Sequence, residues 1–446
     1  MYDVVVIGGG PGGYAAALEA VRLGGKVALV EAGELGGTCV NRGCIPSKIW
    51  MRAAGFLRAI RAAQEFGIKA SVESVDVAAI VERTKGVAAE IRMGMGAVLQ
   101  GSGVEVVQGQ AVLQGLGRVA VRDRVLEAKA VIVATGSRPV TPEIEGLGSA
   151  AVTTDQVLGM TKVPASALVS GGGFLEVEMA GLLRAFGCQV YLAPGAQGVL
   201  PQEASETGQR VAKGLFDQGV ELLGNGALTR VEKKGERWFA TVSGAKGKTV
   251  EVEAVVVCSR KPNTSGLGLE ALGVRLAGDG SIQVNEKLET NVRGIYAIGD
   301  AAGGSLSHAA SAMGRVAAEN AMGRSGVFRA KLVPRGIWGS PEVGSVGINE
   351  EQAEEQGVEV TVGEYPYAVN GLAMAEGEVE GTVKIVSDAK YGEILGVHIV
   401  GARATELIGE AVLAMQLEVT AQEFAKSIRL HPSYSEVLVD AARAMG

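Results

Sequence analysis

Val4-Val5-Val6-Ile7-Gly8-Gly9-Gly10-Pro11-Gly12-Gly13 reads as a buried strand running straight into a glycine turn. Beyond it, Tyr14 to Leu23 has the length and composition of a helix, and Lys26 to Glu31 forms a second strand. Gly8, Gly10 and Gly13 stand in the three glycine places of the G-x-G-x-x-G pattern of a βαβ dinucleotide fold. The first permits the turn, the second lets backbone approach a pyrophosphate, and the third packs helix on strand. Glu31 ends the second strand, where a carboxylate can accept both hydroxyls of an adenosine ribose. Three glycines alone carry little weight; strand, helix and terminal acid in register carry the reading.

The chain contains this unit twice. Ala167-Leu168-Val169-Ser170-Gly171-Gly172-Gly173 opens a second copy, which runs through a helix to Phe186 and ends in Val190-Tyr191-Leu192-Ala193. Gly8 to Gly171 and Gly10 to Gly173 are both steps of 163 positions. The same step takes Gly13 to Glu176 and Glu31 to Pro194. The second copy therefore keeps the turn and loses the packing glycine and the ribose acid.

Between the two copies lies Gly36-Gly37-Thr38-Cys39-Val40-Asn41-Arg42-Gly43-Cys44-Ile45-Pro46-Ser47-Lys48, which holds two of the four cysteines. A thiol pair just after a nucleotide-binding unit is a way to move two electrons against a bound dinucleotide. In a regular helix the two Cα atoms would lie about 7.5 Å apart along the axis, whereas a disulfide wants roughly 4.4–6.8 Å. If the pair bonds, the backbone there must be tightened or distorted. The plainer alternative is two buried free thiols.

The bulk properties narrow the class. A chain of 446 residues predicts about three domains, each with ample core. Net charge is −7 with the charged residues interspersed, so nucleic acid and anionic membrane are poor partners. The first strand begins almost at Met1, which leaves no room for a signal or transit peptide. No apolar run approaches a membrane span, and four cysteines in so long a chain do not make a secreted disulfide scaffold. A cytoplasmic protein is expected, and no metal.

With those residues assembled, the chain resembles the flavin disulfide reductases, and most closely the dihydrolipoamide dehydrogenases. The thiol segment carries most of the likeness. It is joined by Ala134-Thr135-Gly136-Ser137-Arg138-Pro139, Gly294-Ile295-Tyr296-Ala297-Ile298-Gly299-Asp300, Ser340-Pro341-Glu342-Val343 and His431-Pro432-Ser433-Tyr434-Ser435-Glu436. Glutathione reductases usually differ around Pro46-Ser47-Lys48. Mercuric reductases add a C-terminal cysteine pair that this chain lacks, since Cys188 and Cys258 lie in the second copy and read as core.

The resemblance implies an α/β fold with two Rossmann-like nucleotide-binding domains and a C-terminal α+β dimerisation domain. It divides the chain into an FAD domain at 1–145, an NAD-type domain at 146–264, a return to the FAD domain at 265–330 and an interface domain at 331–446. FAD would be held around Gly8, Gly10, Gly13, Glu31, Gly37, Thr38, Lys48, Thr135, Gly136, Asp300 and His308. Cys39 would exchange with substrate sulfur, and Cys44 would face the flavin as a thiolate. Lys48, four residues past Cys44 on the same helical face, would favour that thiolate; in the family it pairs with a glutamate matching Glu178. His431, one of three histidines with His308 and His398, matches the family base, oriented by Glu436. That histidine serves the partner subunit in the family, so a homodimer is implied. Ser433-x-x-Glu436 is also a good capping box, and the sequence allows both roles. The activity implied is oxidation of protein-bound dihydrolipoyl groups on a lipoyl-carrying protein. An NAD(P)H-dependent reductase of another disulfide and a non-catalytic flavoprotein subunit are the alternatives.

The NAD side departs from the family pattern. Glu176 puts a carboxylate in the helix turn that ordinarily receives pyrophosphate, and a negative charge suits that helix end. Against a phosphate about 4 Å away its repulsion reaches at most ~4 kcal/mol at an effective dielectric near 20, roughly a thousandfold in affinity. Pro194 removes the ribose acid, and the following Gly195-Ala196-Gln197-Gly198 offers no arginine for a 2′-phosphate. Ser259 stands where the family usually has glycine before Arg260. A shifted loop that still admits the nucleotide is the conservative reading; the preferred one is that NAD binds poorly or not at all.

Overall fold

The computed structural model describes residues 1–244 and 247–445. The chain divides into two compact units: Met1–Val140, Thr153–Lys162 and Ser259–Arg329 form the first, and Thr141–Val152, Val163–Cys258 and Ala330–Gly446 the second. The C-terminal segment from 331 and the second glycine-turn segment thus share one unit.

In the first unit β1 (Tyr2–Ile7) lies parallel between β2 (Val27–Glu31) and the strand Arg124–Val133, with Val4 opposite both Val27 and Ala130. Val4, Val5 and Val6 are fully buried, as expected of a parallel strand covered on both faces. Glu105–Gln108 and Ile295–Ala297 extend the parallel sheet, while Arg118–Val121 and Ala111–Gly115 add an antiparallel wing to the first half of Arg124–Val133.

α1 (Pro11–Arg22) starts at once after the glycine turn, with proline in its first turn, where no N–H is needed. It packs along the helix Ser307–Ala321 through Ala16, Ala17 and Ala20 against Ala317 and Ala318. The approach is close: a Cβ on Gly314 would lie 2.3 Å from the Gly12 carbonyl oxygen. Small side chains therefore set where the N-terminus of Ser307–Ala321 falls, and that terminus reaches the thiols. The thiol segment itself forms α2 (Gly37–Asn41) and α3 (Cys44–Ala62). α3 is anchored by Trp50, 1% exposed, whose Nε1 donates to the Leu158 carbonyl at 3.1 Å.

The second unit repeats the strand–turn–helix plan. Ser166–Ser170 lies parallel between Gln189–Ala193 and Ala254–Val257, with Leu168 opposite Tyr191 and Val255, and the helix Phe174–Ala185 follows the turn. Three antiparallel strands, Leu228–Lys234, Arg237–Val242 and Lys248–Val252, complete this portion. The C-terminal portion is a five-stranded antiparallel sheet in the order Arg335–Ile337, Val343–Gly347, Ile394–Val400, Thr382–Asp388, Val360–Pro366. The helices Ala404–Gln416 and Glu436–Arg443 bury Ile408, Val437 and Leu438 in one core with Val383, Ile385 and Ile399. The whole is α/β, with two Rossmann-like βαβ units and a C-terminal α+β portion. No helix among the described residues is long and apolar enough to cross a membrane.

Because the Gly314 contact is with backbone, it has little room to relax. Gly314→Ala is expected to cost about 1–3 kcal/mol of stability, read by chemical denaturation; an unchanged midpoint would mean that the two helices are not tightly seated.

Candidate active site

The helix that would join Cys39 to Cys44 is broken between them. α2 ends at Asn41, Arg42 takes φ −146° and ψ 0°, Gly43 takes φ −129° and ψ −104°, and α3 begins at Cys44. This is the distortion that the spacing of the two cysteines requires. Local groups absorb its cost. The Asn41 amide donates to the Leu35 and Gly37 carbonyls at 2.9 and 2.8 Å, and Arg92 donates to Asn41 Oδ1 at 2.7 Å. Pro46 sits in the first turn of α3, where its missing N–H goes unmissed.

The two half-buried thiols hydrogen-bond each other, which makes them unequal. The Cys39 thiol beside it pulls Cys44 down to about 6, helped by Ser307, the Lys48 ammonium and the backbone at the start of α3, and opposed by burial. Cys39 is driven the other way by its bond to Cys44, by burial and by the Cys44 charge. Ser307 Oγ lies 3.2 Å from Cys44 Sγ. Nothing in the local sequence marks Ser307; it arrives 263 residues along the chain through the small-residue packing of its helix on α1.

Arg260 is a second residue the sequence does not single out. Its Nε donates to Ser137 Oγ at 2.9 Å and its Nη2 to the Ser137 carbonyl at 3.1 Å and to Thr38 Oγ1 at 3.3 Å. Its Nη1 meets Asp155 at 3.3 Å, and Asp155 also meets Arg42 at 3.4 Å. Thr38 and Arg42, on either side of Cys39, are thereby tied to the strand Ser137–Pro139.

The first glycine turn brings backbone close on two sides. Gly8 has φ +108°, and a Cβ there would lie 2.3 Å from the Ala134 carbonyl oxygen; one on Gly13 would lie 1.8 Å from that of Gly8. No side chain caps α1, and its first turn holds no acid, so its N–H groups can receive an anion. The Glu31 carboxylate accepts from Gly9 N at 2.6 Å and Gly33 N at 2.7 Å, which fixes it beside the turn. Thr135 Oγ1 donates to the Asn263 carbonyl at 2.7 Å, and the Gly136 carbonyl accepts from Asn263 N at 2.9 Å. Ser137 Oγ donates to the half-buried Asp300 carboxylate. His308 is exposed, next to Ser307.

In the second unit His431 and Glu436 meet. Nδ1 of His431 lies 2.9 Å from Glu436 Oε1, while Oε2 accepts from Ser433 N at 2.9 Å. One carboxylate thus orients the imidazole and closes half of the capping box, but the helix starts from Ser435, and Ser433 Oγ instead lies 2.9 Å from Ser435 Oγ. The bond to His431 and then that to Ser433 keep the Glu436 carboxyl below its ordinary range. His431 is highly exposed, its side chain at 80%. Leu413, Leu417, Ile428 and Leu430 are exposed too, and an Arg429–Glu410 ion pair lays the 428–430 segment beside the helix of the two leucines. His398 is elsewhere, buried in the sheet with Nε2 3.0 Å from the Ile348 carbonyl.

Of the altered second site, Gly171 keeps the turn at φ +117°, while Glu176 lies back across it. Glu178 is buried and accepts from Trp338 N at 3.0 Å. Ser259 belongs to the other unit, with the thiols; it is exposed, and its carbonyl accepts from Val140 N at 2.9 Å. Its neighbour Cys258, read from sequence as core, is buried and faces Glu176.

Comparison with known proteins gives the family and the fold. Residues 2–315 match the model of the pyridine nucleotide-disulphide oxidoreductases, and residues 333–442 that of their dimerisation domain. The dihydrolipoyl dehydrogenase of Thermus scotoductus is 37% identical over 450 residues, covering 100% of this chain and 97% of its own. That of Chlorobaculum tepidum is 38% identical, covering 99% and 96%. Among solved structures, LpdA from Mycobacterium tuberculosis superposes with a TM-score of 0.91 at 29% identity, covering 99% of this chain and 98% of its own. The HOCl-induced flavoprotein disulfide reductase RclA from Escherichia coli gives 0.87 at 25%, covering 99% and 100%.

The inequality of the thiols has a pH signature. In the reduced protein the Cys44 thiolate is expected above about pH 6 and lost below it, and Ser307→Ala should move that midpoint upward. Thiolate absorbance or the pH profile of alkylation reads it. A midpoint in the ordinary thiol range, about 8.5, unmoved by the substitution, would contradict the arrangement.

Proposed function

The chain belongs to the pyridine nucleotide-disulphide oxidoreductases and is an FAD-dependent disulfide oxidoreductase of the dihydrolipoyl dehydrogenase type; from that premise we propose that it oxidises protein-bound dihydrolipoyl groups at Cys39 and Cys44. The observation that carries the proposal is the paired, unequal thiols at the start of α3. Bound FAD supplies the two-electron partner of the dithiol. The first glycine turn fits it, with close backbone approaches at Gly8 and Gly13, an uncapped α1 and Glu31 held at the strand end. Gly10, Gly37, Thr38, Lys48, Thr135, Gly136, Asp300 and His308 are the further residues assigned to its binding.

The exchange runs through the oxidised, Cys39–Cys44 bonded form. A dihydrolipoyl thiol gives its proton to His431 of the partner subunit, and the resulting thiolate attacks Cys39 Sγ. The Cys39–Cys44 bond breaks and Cys44 leaves as a thiolate, which its low pKa favours. The second dihydrolipoyl thiol then attacks the first lipoyl sulfur in the mixed disulfide, its proton passing to the departing Cys39 sulfur. Cys39 is released, and the lipoyl ring closes. One disulfide is consumed and one is formed. Glu436 is a positioning residue that keeps the imidazole aimed.

A histidine so exposed has no substrate pocket of its own, and the apolar side chains around it, Ile428 and Leu430 above all, suit burial by a second copy. The dimerisation-domain match over 333–442 supports that assembly. A cytoplasmic setting, where thiols are kept reduced, suits the pair.

His431→Gln is expected to slow flavin reduction by dihydrolipoamide about 10²–10⁴-fold without loss of bound FAD. Ile428→Asp is expected to yield a monomer that is as slow, with sedimentation reporting the state. A fully active monomer would defeat the dimer proposal, and an unimpaired His431→Gln dimer the assignment of the base.

A further inference from the structure

The family implies a nicotinamide dinucleotide on the second glycine turn, and the two copies of that turn can be compared within one chain. Both glycine turns have the same conformation, φ +108° at Gly8 and φ +117° at Gly171. In both, the helix begins with a glycine N-cap in extended backbone, Gly10 at ψ −177° and Gly173 at ψ −179°. The difference lies at the third helical position. It is Gly13 in α1 and Glu176 in Phe174–Ala185, and the Glu176 carboxylate folds back over the turn. Its Oε1 lies 2.9 Å from where a Cβ on Gly171 would be, and its Oε2 2.7 Å from where one on Gly173 would be. Gly171 is the glycine of the tight turn, and Gly173 the one whose missing side chain lets backbone approach a pyrophosphate.

The backbone N–H groups of Glu176 itself and of Gly173 face this carboxylate, and they are the donors that an incoming phosphate would use. The Cys258 thiol, buried and kept protonated by its own burial and by the Glu176 charge, faces it as well. Glu178 adds a second negative charge near the same thiol. At the ribose end Pro194 has no side-chain acceptor. Its carbonyl oxygen and that of Gly198 lie 2.9 and 2.0 Å from where a Cβ on Gly172 would be, and Leu200 N donates to the Gly172 carbonyl at 2.7 Å. Backbone packs closely around the turn there, while Glu31, the counterpart of Pro194, presents a carboxylate.

We infer that Glu176 is a built-in anion seated where the pyrophosphate of a nicotinamide dinucleotide would lie, with Cys258 facing it, and that it closes the second nucleotide fold to NAD(H). The residues present do not fit NAD, and this fold serves as architecture. Glu176 stands in the first turn of its own helix, where a negative charge suits the helix N-terminus, which explains how the fold tolerates a carboxylate where α1 has glycine. The inference concerns the partner of the flavin in the proposed activity, and it rests on that reading only for the expectation that a dinucleotide site belongs here.

Titration of the FAD-loaded protein with NADH, followed calorimetrically, tests it. The wild type is expected to show no saturation below about 1 mM, a weak-binding limit. Glu176→Gly should tighten binding at least tenfold, and Glu176→Gln, which keeps the volume and removes the charge, by less. Cys258→Ala should show a smaller gain than Glu176→Gly, and Pro194→Glu alone none. Flavin content and a cooperative melt establish that each variant is folded. Micromolar NADH binding by the wild type overturns the inference, as does a folded Glu176→Gly protein that binds no better, or a Pro194→Glu protein that alone regains binding. Dihydrolipoamide, added anaerobically to the wild type, separates the two readings: failure to reduce the flavin removes the dithiol activity and leaves the closed seat standing.

Discussion

The two-residue interruption at Arg42 and Gly43 is the constraint on which the chemistry of this protein depends. An unbroken helix would carry Cys44 too far from Cys39 and leave it in mid-helix, with no free N–H groups near its sulfur. The break brings the sulfurs within hydrogen-bonding reach and places Cys44 at the positive end of α3. Both effects act on the same atom in the same direction. Cys44 becomes the sulfur that holds a negative charge, and Cys39 the one that keeps its proton. The side chains that hold the break, Asn41 with Arg92 and Thr38 with Arg260, are therefore as much part of the site as the thiols.

The two glycine turns show how one local design is opened or closed by a single side chain. Around Gly8 the first turn of the helix holds no acid, and Glu31 is held at the strand end. Around Gly171 the same geometry is occupied by a carboxylate on its own helix. Burial raises the pKa of Glu176, while Gly173 N–H and the Cys258 thiol oppose it. The net result is a seat already occupied by a carboxylate of its own helix. The turn survives because it still starts a helix and still packs a parallel sheet.

What the sequence discloses and what it conceals follow from the range of the interactions. The roles of His431 and Glu436 came with the family resemblance, while the strands around Val4 and Leu168, the glycine turns, the terminal acid Glu31 and the thiol segment are local patterns, and each could be read directly. Ser307 and Arg260 could not, because their roles come from contacts 263 and 222 residues away. Ser259 stood out as a departure, yet the consequence lay one residue earlier, at Cys258, since adjacent residues on a strand end face different neighbours. The capping box at Ser433 was legible only in part: its glutamate is used as the pattern predicts, and its serine is not.

The central claim is that Cys39 and Cys44 form the couple that exchanges an electron pair with a dithiol. Anaerobic titration of the air-oxidised holoprotein with dihydrolipoamide, quenched with an alkylating agent and mapped by mass spectrometry, tests it most directly. Both cysteines should pass together from protected to alkylated as dihydrolipoamide is added, with long-wavelength thiolate-to-flavin absorbance appearing in step and Cys188 and Cys258 unchanged. Cysteines that are already alkylated before the dithiol is added, or that stay protected after it, would contradict the account.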